Sequence, residues 1–138
     1  MILLKTKEEI EKIRISANLL SRTIAEVGRH IRPGVTTAYL DKIGDQFIRD
    51  NGGIPLCKGY EGFPSAFCMS VNDVVVHGIP GDIFIKEGDN LSVDCVVELN
   101  GFVSDSCYTF AVGEISEDLK RLHRVTKEAL YIGIDQCK

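Results

Sequence analysis

The chain has 138 residues, 44% of them hydrophobic and 26% charged, enough apolar material for one compact core and too much for a disordered segment. Its net charge of −4 arises from 16 Lys+Arg and 20 Asp+Glu that are interspersed, so no basic stripe points to nucleic acid or to an anionic membrane. No apolar run approaches the roughly 20 residues that span a bilayer, and Met1 to Glu9 lacks the basic-then-apolar order of a secretory signal, which makes the cytoplasm the expected location.

Thr6-Lys7-Glu8-Glu9 has the Thr-x-x-Glu form of a capping box. Ile10, Ile13, Ala17, Leu20, Ile24, Val27 and Ile31 then recur every three or four residues and predict a long amphipathic helix. Arg32-Pro33-Gly34 ends it, Thr36 or Thr37 can cap a second helix, and Leu40, Ile43, Phe47 and Ile48 give that helix an apolar stripe up to Asn51-Gly52-Gly53. From Ile54 the pattern changes to alternating or continuous apolar runs, which predict strands at Ala66–Val71, Val74–His77, Leu91–Leu99 and Phe102–Val112. Glu117 onward returns to helical spacing through Leu119, Leu122, Val125, Ala129 and Ile132. Helices, then antiparallel strands, then a helix define an α+β domain over 1–138. The last helix runs to Lys138 with no terminating signal, so the sequence is expected to stop inside an element, as a truncated domain would.

Cys57, Cys68, Cys95, Cys107 and Cys137 are odd in number and lack the CxxC or CxxH spacing of a zinc site. They are expected to be reduced thiols that pack as small hydrophobes.

The dipeptide Asn100-Gly101 between two alternating runs is a strong hairpin signal, because a type I′ turn needs positive φ at both central residues. With those two residues in the turn, every cross-strand pair sums to 201. Asp94 then faces Cys107, Asp105 faces Val96, and the two carboxylates lie diagonally on one face. Diagonal neighbours have Cα atoms roughly 7–8 Å apart, so the acids could flank an ion or share a pair of ions. The alternatives are a wet outer sheet surface or strand acids bonded to backbone, and a one-residue register slip would separate the two.

His77 closes the run Val74-Val75-Val76 before Gly78-Ile79-Pro80. A histidine there is either a hydrogen-bonded structural residue or, beside a carboxylate metal site, a donor to a carbonyl oxygen or developing oxyanion. The segment from Cys57 to Pro64 joins small residues, aromatics and a thiol, and reads either as an apolar pocket or as a turn packed on the core.

Taken together, Gly59-Tyr60-Glu61-Gly62-Phe63-Pro64-Ser65-Ala66, Ser70-Val71-Asn72-Asp73-Val74-Val75-Val76-His77-Gly78-Ile79-Pro80, Gly88 to Asp94, Leu99-Asn100-Gly101-Phe102 and Asp105 to Gly113 resemble the type I methionine aminopeptidases over nearly the whole chain. The resemblance implies the N-terminal half of a pita-bread fold, the fold of peptidase family M24, in which an antiparallel sheet is covered by helices and two related halves surround a dinuclear metal centre. It implies removal of the initiator methionine from new polypeptides, with Asp94 and Asp105 as metal ligands, Asp105 bridging two divalent ions (Mn, Fe, Co or Zn). The resemblance further implies that a metal-bound hydroxide attacks the scissile carbonyl and that His77 meets the substrate and stabilises the tetrahedral intermediate. Cys57, Tyr60, Phe63 and Cys68 match positions around the family's methionine pocket, with His77 also facing substrate. The implied partners are N-terminal peptides of nascent proteins, with the ribosome as a candidate.

The family completes its metal site with a His and two Glu from the second half, and nothing after Val112 supplies them, since His123 sits in the helical stretch. The chain alone is therefore expected to bind metal weakly, to turn over poorly and to self-associate through an uncovered face. A non-catalytic pita-bread module that binds protein or peptide is the alternative, and a proline-specific or dipeptide-specific pita-bread peptidase is the rival among enzymes.

Overall fold

In the computed structural model, which describes residues 3–137, the first helix starts where the capping box places it. The Glu9 N–H donates to Thr6 Oγ1 at 3.2 Å and the Thr6 N–H to Glu9 Oε2 at 2.7 Å, satisfying two of the donors a helix start leaves free. Helix α1 runs Lys7–His30. Its buried stripe is Ser16, Leu19, Leu20, Thr23, Ile24 and Val27, rotated from the expected one: Ile10 and Ala17 are exposed, and two hydroxyl residues take buried places. Both hydroxyls are satisfied. Thr23 Oγ1 donates to the Leu19 carbonyl at 2.9 Å, and Ser16 Oγ donates to the Val97 carbonyl at 3.2 Å while meeting Ser104 Oγ at 2.9 Å, which ties the helix to the sheet beneath it.

Thr36 caps α2 (Thr37–Asp50), its Oγ1 accepting from the Tyr39 N–H. The sheet then follows as β1 (Ile54–Pro55), β2 (Phe67–Val71), β3 (Asn90–Leu99) and β4 (Phe102–Ala111), all pairs antiparallel. Strand β3 is the centre: β4 pairs along its whole length on one side, while β2 and the short β1 share the other side, β2 opposite Leu91 to Cys95 and β1 opposite Val97 and Glu98. Leu91, Val93, Cys95 and Val97 of β3 are fully buried and join Phe67 and Met69 of β2 against Leu20, Val27, Leu40 and Ile48 of the helices. Gly44 makes that packing close, since a Cβ there would lie 2.3 Å from the Phe67 ring. Helix α3 (Glu117–Asp135), capped by Ser116, has no buried residue. The antiparallel sheet covered by helices agrees with the α+β expectation.

The segment Val74–His77, expected as a strand, is not one. Asn72 turns the chain at φ 52°, the Val74 N–H closes a turn onto the Val71 carbonyl, and Val74, Val75 and Val76 bulge outward with Val75 88% exposed. β-propensity reflects packing against neighbours, and these three valines, all exposed, pair with no strand. The short β1 was not expected, and α3 ends at Asp135, before Lys138, which lies outside the described residues.

Candidate active site

Asn100 and Gly101 both have positive φ (54° and 80°), as a two-residue hairpin turn requires, and the register that follows pairs Leu99 with Phe102, Val96 with Asp105 and Asp94 with Cys107. The pairing sum of 201 therefore holds along the whole hairpin. Asp94 and Asp105 are diagonal neighbours on the face of the sheet that points away from the helices. Strand β2 adds Cys68 opposite Asp94 on its other side, so a row Cys68, Asp94, Cys107 crosses the sheet.

Over this face lies a cleft of about 620 Å³, lined by Cys57, Tyr60, Glu61, Gly62, Phe63, Pro64, Cys68, His77, Ile79, Asp94, Val96 and Asp105. Two segments form its walls. The first is the loop from Cys57 to Ala66, which leaves the sheet after β1 and returns at β2; it contains a short 3₁₀ turn at Tyr60–Gly62, and Gly59 before the turn, with Glu61 and Gly62 in it, has positive φ. Two acids of α2 fix it in place. Asp41 accepts from the Phe67 N–H at 2.9 Å, and Asp45 holds Lys58 and Arg49 at 2.7 Å each.

The second wall carries His77, itself left-handed at φ 57°. Its neighbour Gly78 lies against β2: the Met69 N–H donates to the Gly78 carbonyl at 2.8 Å, the Gly78 N–H donates to Ser70 Oγ at 3.2 Å, and a Cβ at 78 would sit 2.3 Å from the Met69 carbonyl oxygen. Only glycine permits that approach, and the approach puts His77 at the cleft. The base of this segment is held by Asn72, which donates from Nδ2 to Asp89 at 2.9 Å and accepts from the Asn90 N–H at 2.9 Å.

Burial, then the negative charge of Asp105, raise the Asp94 carboxyl above its ordinary range, while His77 pulls it down. Burial also raises the thiols: Cys68 is pushed up to about 11, and Cys57 and Cys107 are raised with the two carboxylates contributing. Two hard oxygen donors on one face, with Asp105 raising the pKa of Asp94, are chemistry that a divalent cation relieves. They fit as part of a metal site. Among the described residues no group of three or more His, Cys, Asp or Glu is placed to hold an ion. His123, the only histidine after His77, contacts Asn90 Oδ1 at the start of β3 instead.

The structure thus brings all seven expected residues, Cys57, Tyr60, Phe63, Cys68, His77, Asp94 and Asp105, into one cleft. Glu61, Ile79 and Val96 line it as well, and Asp41 and Asp45 support it, none of them singled out by the sequence reading. The helical acids gave no signal because their partners in the loop and on β2, Lys58 and Phe67, lie 13 and 26 residues away. All five cysteines are free, yet Cys107 and Cys137 are exposed, contrary to the expectation of buried thiols: Cys107 lies on the outer sheet face and Cys137 just past α3, beyond the reach of the core. A smaller groove of about 270 Å³ between α1 and Asn51 and Leu99 contains none of these residues.

The model of Metallopeptidase family M24 matches residues 11–138. A methionine aminopeptidase of Clostridium perfringens is 45% identical over 99% of this chain, which spans 55% of that relative. The crystal structure of the methionine aminopeptidase of Thermotoga maritima superposes with a TM-score of 0.95 at 37% identity, covering all of this chain and 56% of the other. An Xaa-Pro dipeptidase from Bacillus anthracis follows at a TM-score of 0.76 and 27% identity, with 92% of this chain and 34% of that one covered. The chain spans about half the length of the methionine aminopeptidases it matches. A sheet face with paired acids, a glycine-seated histidine beside it and this sequence match agree, and the chain belongs to metallopeptidase family M24.

Proposed function

We propose that this chain carries the first half of the site of a metal-dependent methionine aminopeptidase, which removes the N-terminal initiator methionine from newly made polypeptides. The observation that carries this reading is the single cleft in which Asp94, Asp105 and His77 meet Cys57, Tyr60, Phe63 and Cys68. The similarity to proteins named methionine aminopeptidase supports it.

In this reading Asp94 and Asp105 are oxygen ligands to two divalent cations; carboxylates suit Mn or Fe, and an imidazole from outside this chain would admit Co or Zn. Divalent cations supply, when bound, Lewis acidity towards a carbonyl oxygen and a lowered pKa for water. His77 donates a hydrogen bond to the scissile carbonyl oxygen, a contact that strengthens as negative charge grows there. Gly78, held against Met69, orients that histidine. Cys57 and Cys68, with their pKa values raised, stay neutral thiols at neutral pH, so the pocket they form with Tyr60 and Phe63 is apolar and polarisable, suited to an unbranched thioether. The substrates are N-terminal peptides of nascent proteins in the cytoplasm, with the ribosome as a candidate partner.

The lack of a third ligand among the described residues makes the 138-residue chain a weak metal binder and a poor catalyst on its own. Exposed Val103 and Tyr108 on β4 and Leu122, Val125 and Leu130 on α3 make self-association the expected behaviour of the isolated chain. The same missing ligand favours a second reading, a non-catalytic module that binds peptide or protein.

Mn titration calorimetry, paired with cleavage assays on methionyl and Xaa-Pro peptides, separates these readings. Weak Mn binding that Asp105→Asn removes, with little turnover, is the expected result, and Mn at ten times its Kd should then add about 1.4 kcal/mol of stability. No Mn binding beside firm capture of peptide or protein would establish the module reading instead. Tight binding or real turnover by 138 residues alone would show that a second copy or another ligand completes the site.

A further inference from the structure

Strand β4 has an open edge. It pairs with β3 over its whole length and, among the described residues, with no other strand. The two-residue turn at Asn100-Gly101 makes Leu99 and Phe102 a hydrogen-bonded pair, so the even-numbered residues of β4 bond to β3 and the odd-numbered ones turn their N–H and C=O outward. Bonds beyond the hairpin keep this phase. The Val112 N–H donates to the Asp89 carbonyl at 2.9 Å, and on the other side of β3 the Leu56 N–H donates to the Val96 carbonyl at 2.9 Å. Val103, Asp105, Cys107, Thr109 and Ala111 therefore present their backbone groups along the edge, and they make no backbone hydrogen bond outward among the described residues.

Such an edge is a template for another strand, and natural sheets blunt theirs with lysine, proline or a bulge. Strand β4 carries no Lys, Arg or Pro, and its register with β3 is unbroken. The space beside it is open as well. Ser106 and Tyr108 point to the helix side of the sheet, yet both are exposed, Tyr108 by 56%, so the helix layer stops short of the edge.

A second copy of the same strand fits this edge. Two copies run antiparallel about a two-fold axis normal to the sheet, with outward residues facing outward residues. The one charge on the strand, Asp105, bears on the register. A centre at Asp105 sets two carboxylates face to face, which is unfavourable. A centre at Cys107 engages every outward residue on both copies: Val103 faces Ala111, Asp105 faces Thr109, and Cys107 faces its own counterpart, with two backbone hydrogen bonds exchanged by each pair. We propose that this chain forms a two-fold dimer through the open edge of β4, centred on Cys107, which joins two sheets into one with both clefts on the same face. The proposal does not depend on the reading of the cleft as a site for methionyl peptides.

The test is analytical ultracentrifugation of the metal-free chain across concentrations, combined with amide hydrogen exchange read by NMR and with diamide oxidation, in which diamide takes the two hydrogens of two thiols and leaves a disulfide. The expected result is a monomer–dimer equilibrium in which the amides of Val103, Asp105, Cys107, Thr109 and Ala111 gain protection as the dimer forms, while those of Ser104, Ser106 and Tyr108 are protected throughout. A directly opposed hydrogen-bonded pair has Cα atoms about 5.5 Å apart, within disulfide reach, so diamide should trap the dimer through Cys107, identified by mass spectrometry of the linked peptides. Val103→Pro removes one outward donor from each copy without touching the ladder to β3 and should weaken dimerisation about tenfold or more. Val103→Lys, which keeps the backbone donor and is tolerated on an edge, should weaken it too and serves if the proline variant does not fold. A chain that stays monomeric at every concentration, a dimer whose five outward amides still exchange freely, a disulfide through Cys137 in place of Cys107, or protection that appears only when an extended peptide is added would each overturn the proposal.

Discussion

Leu91, Val93, Cys95 and Val97 point from β3 towards the helices and are wholly buried, whereas Ser92, Asp94, Val96 and Glu98 point from the same strand to the opposite face and stay partly exposed. The helix-facing set is apolar and makes the core continuous with Phe67, Leu40 and Val27. The other set carries the candidate chemistry. A period of two along one backbone assigns stability to one face and reactivity to the other, so a site residue can change without disturbing the core, and a core residue fixes the site without touching it.

The largest break in that comparison should come from the core. Phe67 is fully buried, lies against Gly44, and pairs with Cys95 one residue from Asp94. Phe67→Ala should cost about 3–5 kcal/mol in denaturant unfolding, because it leaves a cavity between α2 and the sheet. It should also weaken whatever the cleft binds, since Phe67 neighbours Cys68.

A smaller effect is expected at the support of the cleft. Burial pushes the Asp45 carboxyl up, but the hydrogen bonds and charges of Lys58 and Arg49 outweigh it and hold the group below its ordinary 3.8. A carboxylate depressed in the folded state stabilises the fold above the unfolded pKa and loses that contribution as pH falls through the folded value. Asp45→Asn should therefore cost about 0.5–1 kcal/mol at pH 7, discounted because Lys58 and Arg49 are largely in water, and the difference from the parent chain should shrink below pH 4. A variant whose deficit persists unchanged at pH 3 would mean that Asp45 acts through packing instead.

The smallest effect belongs to the outer face. Asp105→Asn removes one exposed carboxylate of a repelling pair, so the metal-free chain should change by no more than about 0.5 kcal/mol in thermal or denaturant unfolding. A loss as large as that of Phe67→Ala would show that the outer face is also structural and would dissolve the distinction between the two faces.

Much of this was legible because it is local. Thr6 and Glu9 are three residues apart, and their capping box formed as spelled. Asn100-Gly101 dictated a tight turn, and from that turn the opposition of Asp94 to Cys107 and of Asp105 to Val96 follows by arithmetic, so the sequence alone places the diagonal acids on one face. Other features were misread. Val74-Val75-Val76-His77 has strand composition, but whether a β-branched run pairs depends on a free strand edge beside it, and here Asn72 turns the chain away. The stripe of α1 shifted because the Ser16 hydroxyl is satisfied by the Val97 carbonyl of β3 and that of Thr23 by the Leu19 carbonyl of its own helix, which no apolar periodicity records.

Sequence by itself determined the elements whose causes lie within a few residues: the helix caps, the hairpin register, and the alternation that separates core from site on β3. Tertiary structure alone decided that the loop from Cys57 to Ala66 folds over the acids, that Asp41 and Asp45 of α2 hold it there, and that His77 reaches the cleft because Gly78 lies against Met69. The physical reason is distance along the chain. Contacts such as Asp41 to Phe67, or Ser16 to Ser104, join residues 26 and 88 positions apart, and only the close packing of helices on the sheet selects them among the many partners that composition allows.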